Sequence, residues 1–117
     1  MRHHDRNKKF GRVKRGRTAL LRSLARSLIL SEGITTTAAK AKALRPYVER
    51  MISASRQNSL ASNRAMTAKL GGARDANKKL HELGERYAKR GGGYTRIIRL
   101  GRVGKRVGEM ARIELVK

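Results

Sequence analysis

Arg2, Arg6, Lys8, Lys9, Arg12, Lys14, Arg15 and Arg17 place eight cationic side chains within the first seventeen residues, opposed by a single acid, Asp5. Phe10 and Val13 are the only large apolar side chains there after Met1. Such a segment cannot bury enough apolar surface to offset the entropy of ordering it. A dense array of negative charge gives it a shape, and nucleic acid phosphates are the commonest such array. Arginine outnumbers lysine five to three. Its planar guanidinium grips phosphate with two parallel hydrogen bonds and stacks on bases, which suits structured RNA.

Three further groups of residues could bind phosphate. Lys40, Lys42 and Arg45 follow Thr35-Thr36-Thr37. Hydroxyl donors ahead of a helix start, with its free amides and positive dipole end, suit an anion. Ordinary helix capping explains the same residues equally well. Gly91-Gly92-Gly93-Tyr94-Thr95-Arg96 is the second group. Glycines let a backbone approach a sugar-phosphate chain, Tyr94 could stack on a base, and Arg96 could take a phosphate. The rival account is a loop whose tyrosine completes the core. The basic, glycine-punctuated stretch Arg102 to Gly108, with Lys105 and Arg106, is the third.

Other chemistry lacks its residues. There is no cysteine, hence no disulfide, thiolate metal site or cysteine nucleophile. His3 and His4 are adjacent and His81 is distant, a poor set of ligands for a metal. None of the eight acids forms a catalytic pairing with a base or nucleophile at a credible spacing. The glycine loop has no Gly-Lys-Ser/Thr, so it is no nucleotide cradle. The expectation is a protein with no enzymatic activity, cofactor or small-molecule substrate.

Thirty Lys and Arg against eight Asp and Glu give 117 residues a net charge of +22. Enzymes of the cytosol rarely carry that excess, because self-repulsion opposes compaction and polyanions adhere. Leu, Ile, Val and Phe make up about one residue in five, near the composition where charged chains lose their fold. Part of the stability is therefore expected from a polyanionic partner, by mass action. No apolar run reaches a membrane span, and the basic start lacks the apolar stretch of a secretion signal. The expected location is the cytoplasm, without a cleaved address.

The elements that must position these residues can be read from periodicity. Residues 1–17 form an extended basic arm, and residues 18–117 one globular domain. A first helix starts with Thr18 as its cap, carries Leu20, Leu24 and Leu28 beside Leu21, Ala25 and Ile29, and stops at Gly33. Ile34 to Thr37 reads as a short strand or extended link. Thr36 or Thr37 caps a second helix through about Arg56, with Ala41, Leu44, Val48, Met51 and Ile52 on its apolar face and a kink or restart at Pro46. Gln57-Asn58-Ser59 is a turn and cap. A weaker helix follows from Leu60 to Leu70, broken by Gly71-Gly72. A fourth, from about Arg74 to Lys89, carries Ala76, Leu80, Leu83 and Tyr87, with Gly84 counting against it. Tyr94 to Leu100 and Met110 to Val116 read as strands, the second with Ala111, Ile113 and Leu115 alternating against Arg112 and Glu114. The sum is α+β: three to four helices packed on a small, mainly antiparallel sheet, with an extended basic N-terminal arm.

With these residues placed, the chain resembles the bacterial large-subunit ribosomal protein seventeen family. The resemblance rests on Met1-Arg2-His3, Arg17 with Ala19-Leu20-Leu21-Arg22, Ile34 to Thr37 with Lys40-Ala41-Lys42, and Gly92-Gly93-Tyr94-Thr95-Arg96-Ile97. The ending, Met110-Ala111 with Ile113-Glu114-Leu115-Val116, completes it. These segments fall in order over the full chain. Gly16, Ser23 and Ala43 depart from residues common in the family, and Gly104-Lys105-Arg106 replaces a frequent Gly-Asp. The resemblance implies a large-subunit component that binds ribosomal RNA near the nascent-chain tunnel exit and touches neighbouring ribosomal proteins, including large-subunit protein thirty-two.

The RNA-binding candidates are Arg2, His3, Arg6, Lys8, Lys9, Arg12, Lys14, Arg15, Arg17, Arg22, Thr36, Lys40, Lys42, Arg45, Gly93, Tyr94, Thr95, Arg96, Arg99, Lys105 and Arg106. The competing class is a nucleoid-associated architectural DNA-binding protein, also small, basic and free of cysteine. Against it, the chain has no evident dimerisation heptad and no long β-ribbon arm.

Overall fold

The basic arm meets the folded body through a left-handed reversal. Phe10 and Gly11 both have positive φ, 53° and 63°, and the first helix, α1, runs from Lys14 to Ser31. The computed structural model describes residues 10–57, 59–105 and 108–117. The candidates Arg2, His3, Arg6, Lys8, Lys9 and Arg106 lie outside the described residues, as does Asn58 of the expected turn.

The helix takes in the last four residues of the expected arm, and Thr18 is not its cap. Val13 stands at the N-cap and makes no side-chain cap bond. The Thr18 hydroxyl instead donates to the Lys14 carbonyl, 3.0 Å away. Thr is a good cap, but its hydroxyl can equally bond back to the fourth residue before it inside a helix. The far end also differs from expectation. The left-handed residue is Glu32, φ 63°, whose N–H donates to the Leu28 carbonyl, and Gly33 opens the strand β1, Gly33–Thr37. Gly33 serves packing: a Cβ there would lie 2.3 Å from the Arg112 guanidinium.

The second helix, α2, spans Ala38–Ser55, and the Thr37 side chain accepts from the Lys40 amide at 3.3 Å. Its expected apolar face is wholly buried: Ala41, Leu44, Val48, Met51 and Ile52 are all 0 % exposed. The helix runs through Pro46 without a restart. Pro46 removes the donor for the Lys42 carbonyl, but both residues are on the exposed side, where water can replace it. Helix α3, Leu60–Lys69, is capped by the Ser59 hydroxyl. Gly71 and Gly72, φ 69° and 80°, turn the chain into α4, Arg74–Arg86.

Gly84, which weakens α4 on propensity, is required by packing. A Cβ at Gly84 would meet the Ser55 Oγ at 2.6 Å, and the Ser55 hydroxyl is itself tied to the Ile52 carbonyl at 2.7 Å. The glycine lets α2 and α4 close on each other.

Strands β2, Thr95–Gly101, and β3, Met110–Leu115, complete a three-stranded antiparallel sheet in the order β1-β3-β2. The last strand is therefore central. It pairs Ile34 with Ile113 on one side and Ile97 with Ile113 on the other. Ala111, Ile113 and Leu115 point into the helical layer, as the alternation predicts. An irregularity between Arg99 and Gly101 shifts the register at the far end of β2.

Glu32 joins three elements. Its carboxylate accepts from Arg86 and lies 3.5 Å from Lys79, both on α4, while its carbonyl accepts from the Leu115 amide. The Arg86 hydrogen bond, which outweighs a small opposing effect of burial, holds the Glu32 carboxyl below the usual carboxylate range.

Two predictions follow from these packing and charge contacts. Gly84→Ala should lose about 1–3 kcal/mol in denaturant melts, although alanine is the better helix former, and Ser55→Ala in the same chain should recover part of that loss. A Gly84→Ala variant as stable as the parent would show that the helices have room to spare. Because the Glu32 pKa is lowered on folding, its ionised form stabilises the fold above the unfolded value, and that stabilisation is lost as pH falls through the folded value. The stability gap between parent and Glu32→Gln should therefore be open at neutral pH and close in the acid range below 4.5. A gap independent of pH would remove the ion pair as its cause.

Candidate nucleic-acid interface

The expected phosphate site at the start of α2 is already occupied by the protein's own groups. Ala38 N–H donates to the Glu109 carbonyl at 2.9 Å, and Lys40 N–H goes to the Thr37 hydroxyl. Thr36 faces inward at 9 % exposure. The capping account holds here, and Thr36 is corrected from a surface donor to a buried strand residue. Lys42 and Arg45 remain on the surface, with Arg45 3.7 Å from Glu49, one turn further on. Lys40 is half-buried.

The glycine loop is likewise tied to the body. Tyr94 is 1 % exposed, its ring 5.1 Å from that of Tyr87. Its hydroxyl accepts from the Arg56 guanidinium at 3.0 Å and lies 3.2 Å from both the Ser53 hydroxyl and the Arg90 carbonyl. A ring so enclosed cannot offer a face to a base, so the core account of Tyr94 replaces the stacking one. Thr95, 2 % exposed, gives its hydroxyl and amide to Glu49 at 2.9 and 3.3 Å, and is corrected in the same way. The sequence hides these roles because burial is decided by α2, some forty residues away. Gly93 needs its φ of 63°, and a Cβ there would meet nothing within 4 Å.

Arg96 and Arg99 stay exposed on β2. Arg96 lies opposite Glu114 in the register and bonds its carboxylate, which also accepts from Arg112 at 3.0 Å. The two guanidiniums, that of Arg96 first, hold the Glu114 carboxyl below its ordinary range. Lys105 is exposed in the turn between β2 and β3.

Arg56 has no signal in the sequence, yet it closes the loop. Its guanidinium donates to the Ala88 and Arg90 carbonyls as well as to Tyr94. Those two carbonyls lie in the segment after α4, so Arg56 ties the approach to the glycine loop back to the end of α2.

The charge is unevenly distributed over the helices. Helix α1 carries Lys14, Arg15, Arg17, Arg22 and Arg26 and no acid. Helix α3 carries Arg64 and Lys69 and no acid. Helix α4 interleaves Asp75, Glu82 and Glu85 with Arg74, Lys78, Lys79 and Arg86. Lys14 and Arg15, exposed on the first turn of α1, lie along one groove with Thr18, Ala19 and Arg22. Arg17 is half-buried, and Arg12 is exposed, its guanidinium on the Phe10 carbonyl at 2.8 Å. The arrangement offers many cations and no reacting pair. Among the described residues no group of three or more His, Asp or Glu could hold a metal ion, and no helix is long and apolar enough to cross a membrane.

The structure brings Lys14, Arg15 and Arg22 to one groove and buries Thr36, Tyr94 and Thr95. Tyr94→Phe should cost about 1 kcal/mol of stability through the lost hydroxyl partners. Tyr94→Ala should cost about 3–5 kcal/mol through the cavity, with RNA affinity per folded molecule unchanged. A Tyr94→Ala protein that melts like the parent but binds RNA more weakly would restore the stacking role.

The profile of the family described as ribosomal protein L17 matches residues 20–116. The large ribosomal subunit protein bL17 of Gemmatimonas aurantiaca is 45 % identical over 116 residues, covering 99 % of this chain and 98 % of its own. The protein of the same name from Hydrogenobaculum is 48 % identical over 100 residues, 86 % of this chain and 85 % of its own. That from Novosphingobium aromaticivorans is 44 % identical over 116 residues, 99 % and 82 % respectively.

Proposed function

The chain belongs to the ribosomal protein L17 family, and from that premise we propose that it is a structural constituent of the large ribosomal subunit that binds ribosomal RNA and turns over no substrate. The observation that carries the reading is the acid-free surface of α1 and α3 on a chain of net charge +22. A folded body with that excess is relieved of self-repulsion by a polyanion. The structured RNA of a ribosomal subunit supplies one at fixed geometry.

In this reading the basic arm ahead of α1 threads between RNA segments, and the single body from Lys14 onward docks on the RNA surface. Arg2, Arg6, Lys8, Lys9 and Arg12 neutralise phosphates along the arm, and Lys14, Arg15, Arg17 and Arg22 extend that track onto α1. Arg99, Lys105 and Arg106 form a second, smaller track at the β2–β3 turn. The family resemblance supports a position near the nascent-chain tunnel exit, in the cytoplasm, with large-subunit protein thirty-two as a neighbour.

Sedimentation of tagged protein from lysate tests the assignment. After dissociation of ribosomes at low magnesium, the protein should follow the large subunit. Migration with DNA, indifferent to magnesium, would overturn it in favour of an architectural DNA-binding protein.

A further inference from the structure

Most arginines that the fold holds in place are chemically committed. Arg56 serves backbone carbonyls and Tyr94, Arg86 bonds Glu32, and Arg96 and Arg112 share Glu114. Arg22 is held and uncommitted. It projects from α1 onto the turn after α3, where its Cδ would lie 2.9 Å from a Cβ on Gly71. The absence of that Cβ, at φ 69°, seats the side chain. Its Nε is buried and has no hydrogen-bond partner. No ion pair with a described acid restrains it.

The surroundings are cationic. Arg22 lines a groove of about 460 Å³ with Lys14, Arg15, Thr18 and Ala19, among the described residues. On its other side stands Tyr47 of α2, whose hydroxyl donates to the Lys69 carbonyl at the end of α3. Burial holds that phenol above its ordinary range, against the smaller opposing pull of the Arg22 and Arg50 charges. Among the described residues the groove is lined from α1 alone, with three cations, Lys14, Arg15 and Arg22, and no carboxylate.

A guanidinium fixed by packing loses little side-chain entropy on taking a ligand, and one without an internal acid has its donors free for it. We infer that the groove from Lys14 to Arg22 on α1, with Arg22 seated on Gly71, is a docking site for a backbone phosphate of RNA, and that this face is the one the body turns to the RNA. The inference rests on the RNA-binding reading above and adds which face is used. The α4 surface, where acids interleave with bases, is not the proposed face.

Same-charge substitutions on one helix test it, with the intact protein and large-subunit ribosomal RNA transcribed in vitro. Thr18→Glu places an acid in the groove, and Ser27→Glu places one on the same helix outside it. Both residues are exposed; Thr18 lies near the N-terminus of α1, where an acid is favourable, and a solvent-facing glutamate at Ser27 meets only a small, screened part of the helix dipole, so folding should survive. Thr18→Glu should weaken binding about tenfold or more, and Ser27→Glu by less than about threefold. Arg22→Ala should lower the salt dependence of binding by about 0.7–0.9 log units per log unit of salt, the release of one phosphate's counterion. Equal effects of the two glutamates, or an unchanged salt slope in a folded Arg22→Ala protein, would overturn the site while leaving RNA binding intact. A parent protein that does not bind this RNA above a DNA control would overturn the RNA-binding reading itself, and the site with it.

Discussion

Scarcity of negative charge is the constraint on which the rest of this structure depends. Thirty cationic side chains share one small body and arm with eight acids. Three of those acids are placed where each does the most. Glu32 takes Arg86 and Lys79, Glu114 takes Arg96 and Arg112, and Glu49 takes Arg45 while accepting from Thr95. Each bridges elements distant in sequence: α1's end to α4, β3 to β2, α2 to the start of β2. Exposed pairs of this kind are individually weak. Their effect is to fix where the repulsive charges sit, so that β3 and α4 carry acids beside their bases and α1 and α3 carry none.

Packing tolerates that arrangement because α2 supplies an apolar spine. Its buried residues contact both the helices and the inner face of the sheet, and the central strand is the last one in the chain. Pairing β1 with β3 brings Gly33 against Glu114, some eighty residues on. The fold is closed only when its C-terminal strand is in place. This is a slow kind of contact to form, since loop closure precedes any gain from pairing. Val116 then locks the end, its amide on the Tyr94 carbonyl and its own carbonyl accepting from the Tyr87 hydroxyl.

Local periodicity was enough to read the apolar face of α2 and a cap at Thr36 or Thr37, the α3 break at Gly71-Gly72 and the alternation of β3, because each is a short-range pattern. The errors share one cause: residue types with two good uses. Thr18 can cap or bond back along a helix, Gly33 can stop a helix or make room under Arg112, and Tyr94 can stack on a base or fill a core. Which use is realised depends on a partner far along the chain. Gly84 is the sharpest case, since its propensity argues against the helix that its missing side chain allows to pack. At the candidate site the basic residues of α1 were legible as charge. The seating of Arg22 on Gly71 was not, because nothing in either residue's own segment marks the other.

The uneven distribution of acids gives the body two unlike sides, and this bears on how binding and stability are coupled. Acids interleaved among bases on α4 screen one another and leave that surface nearly indifferent to a polyanion. On α1 and α3 every added phosphate relieves repulsion between cations that the fold has already brought together. Any polyanion that neutralises such cations lowers their repulsion, so binding of one and folding would draw on the same term. A body built this way gains stability from a polyanion on the α1 and α3 side and little from one on α4.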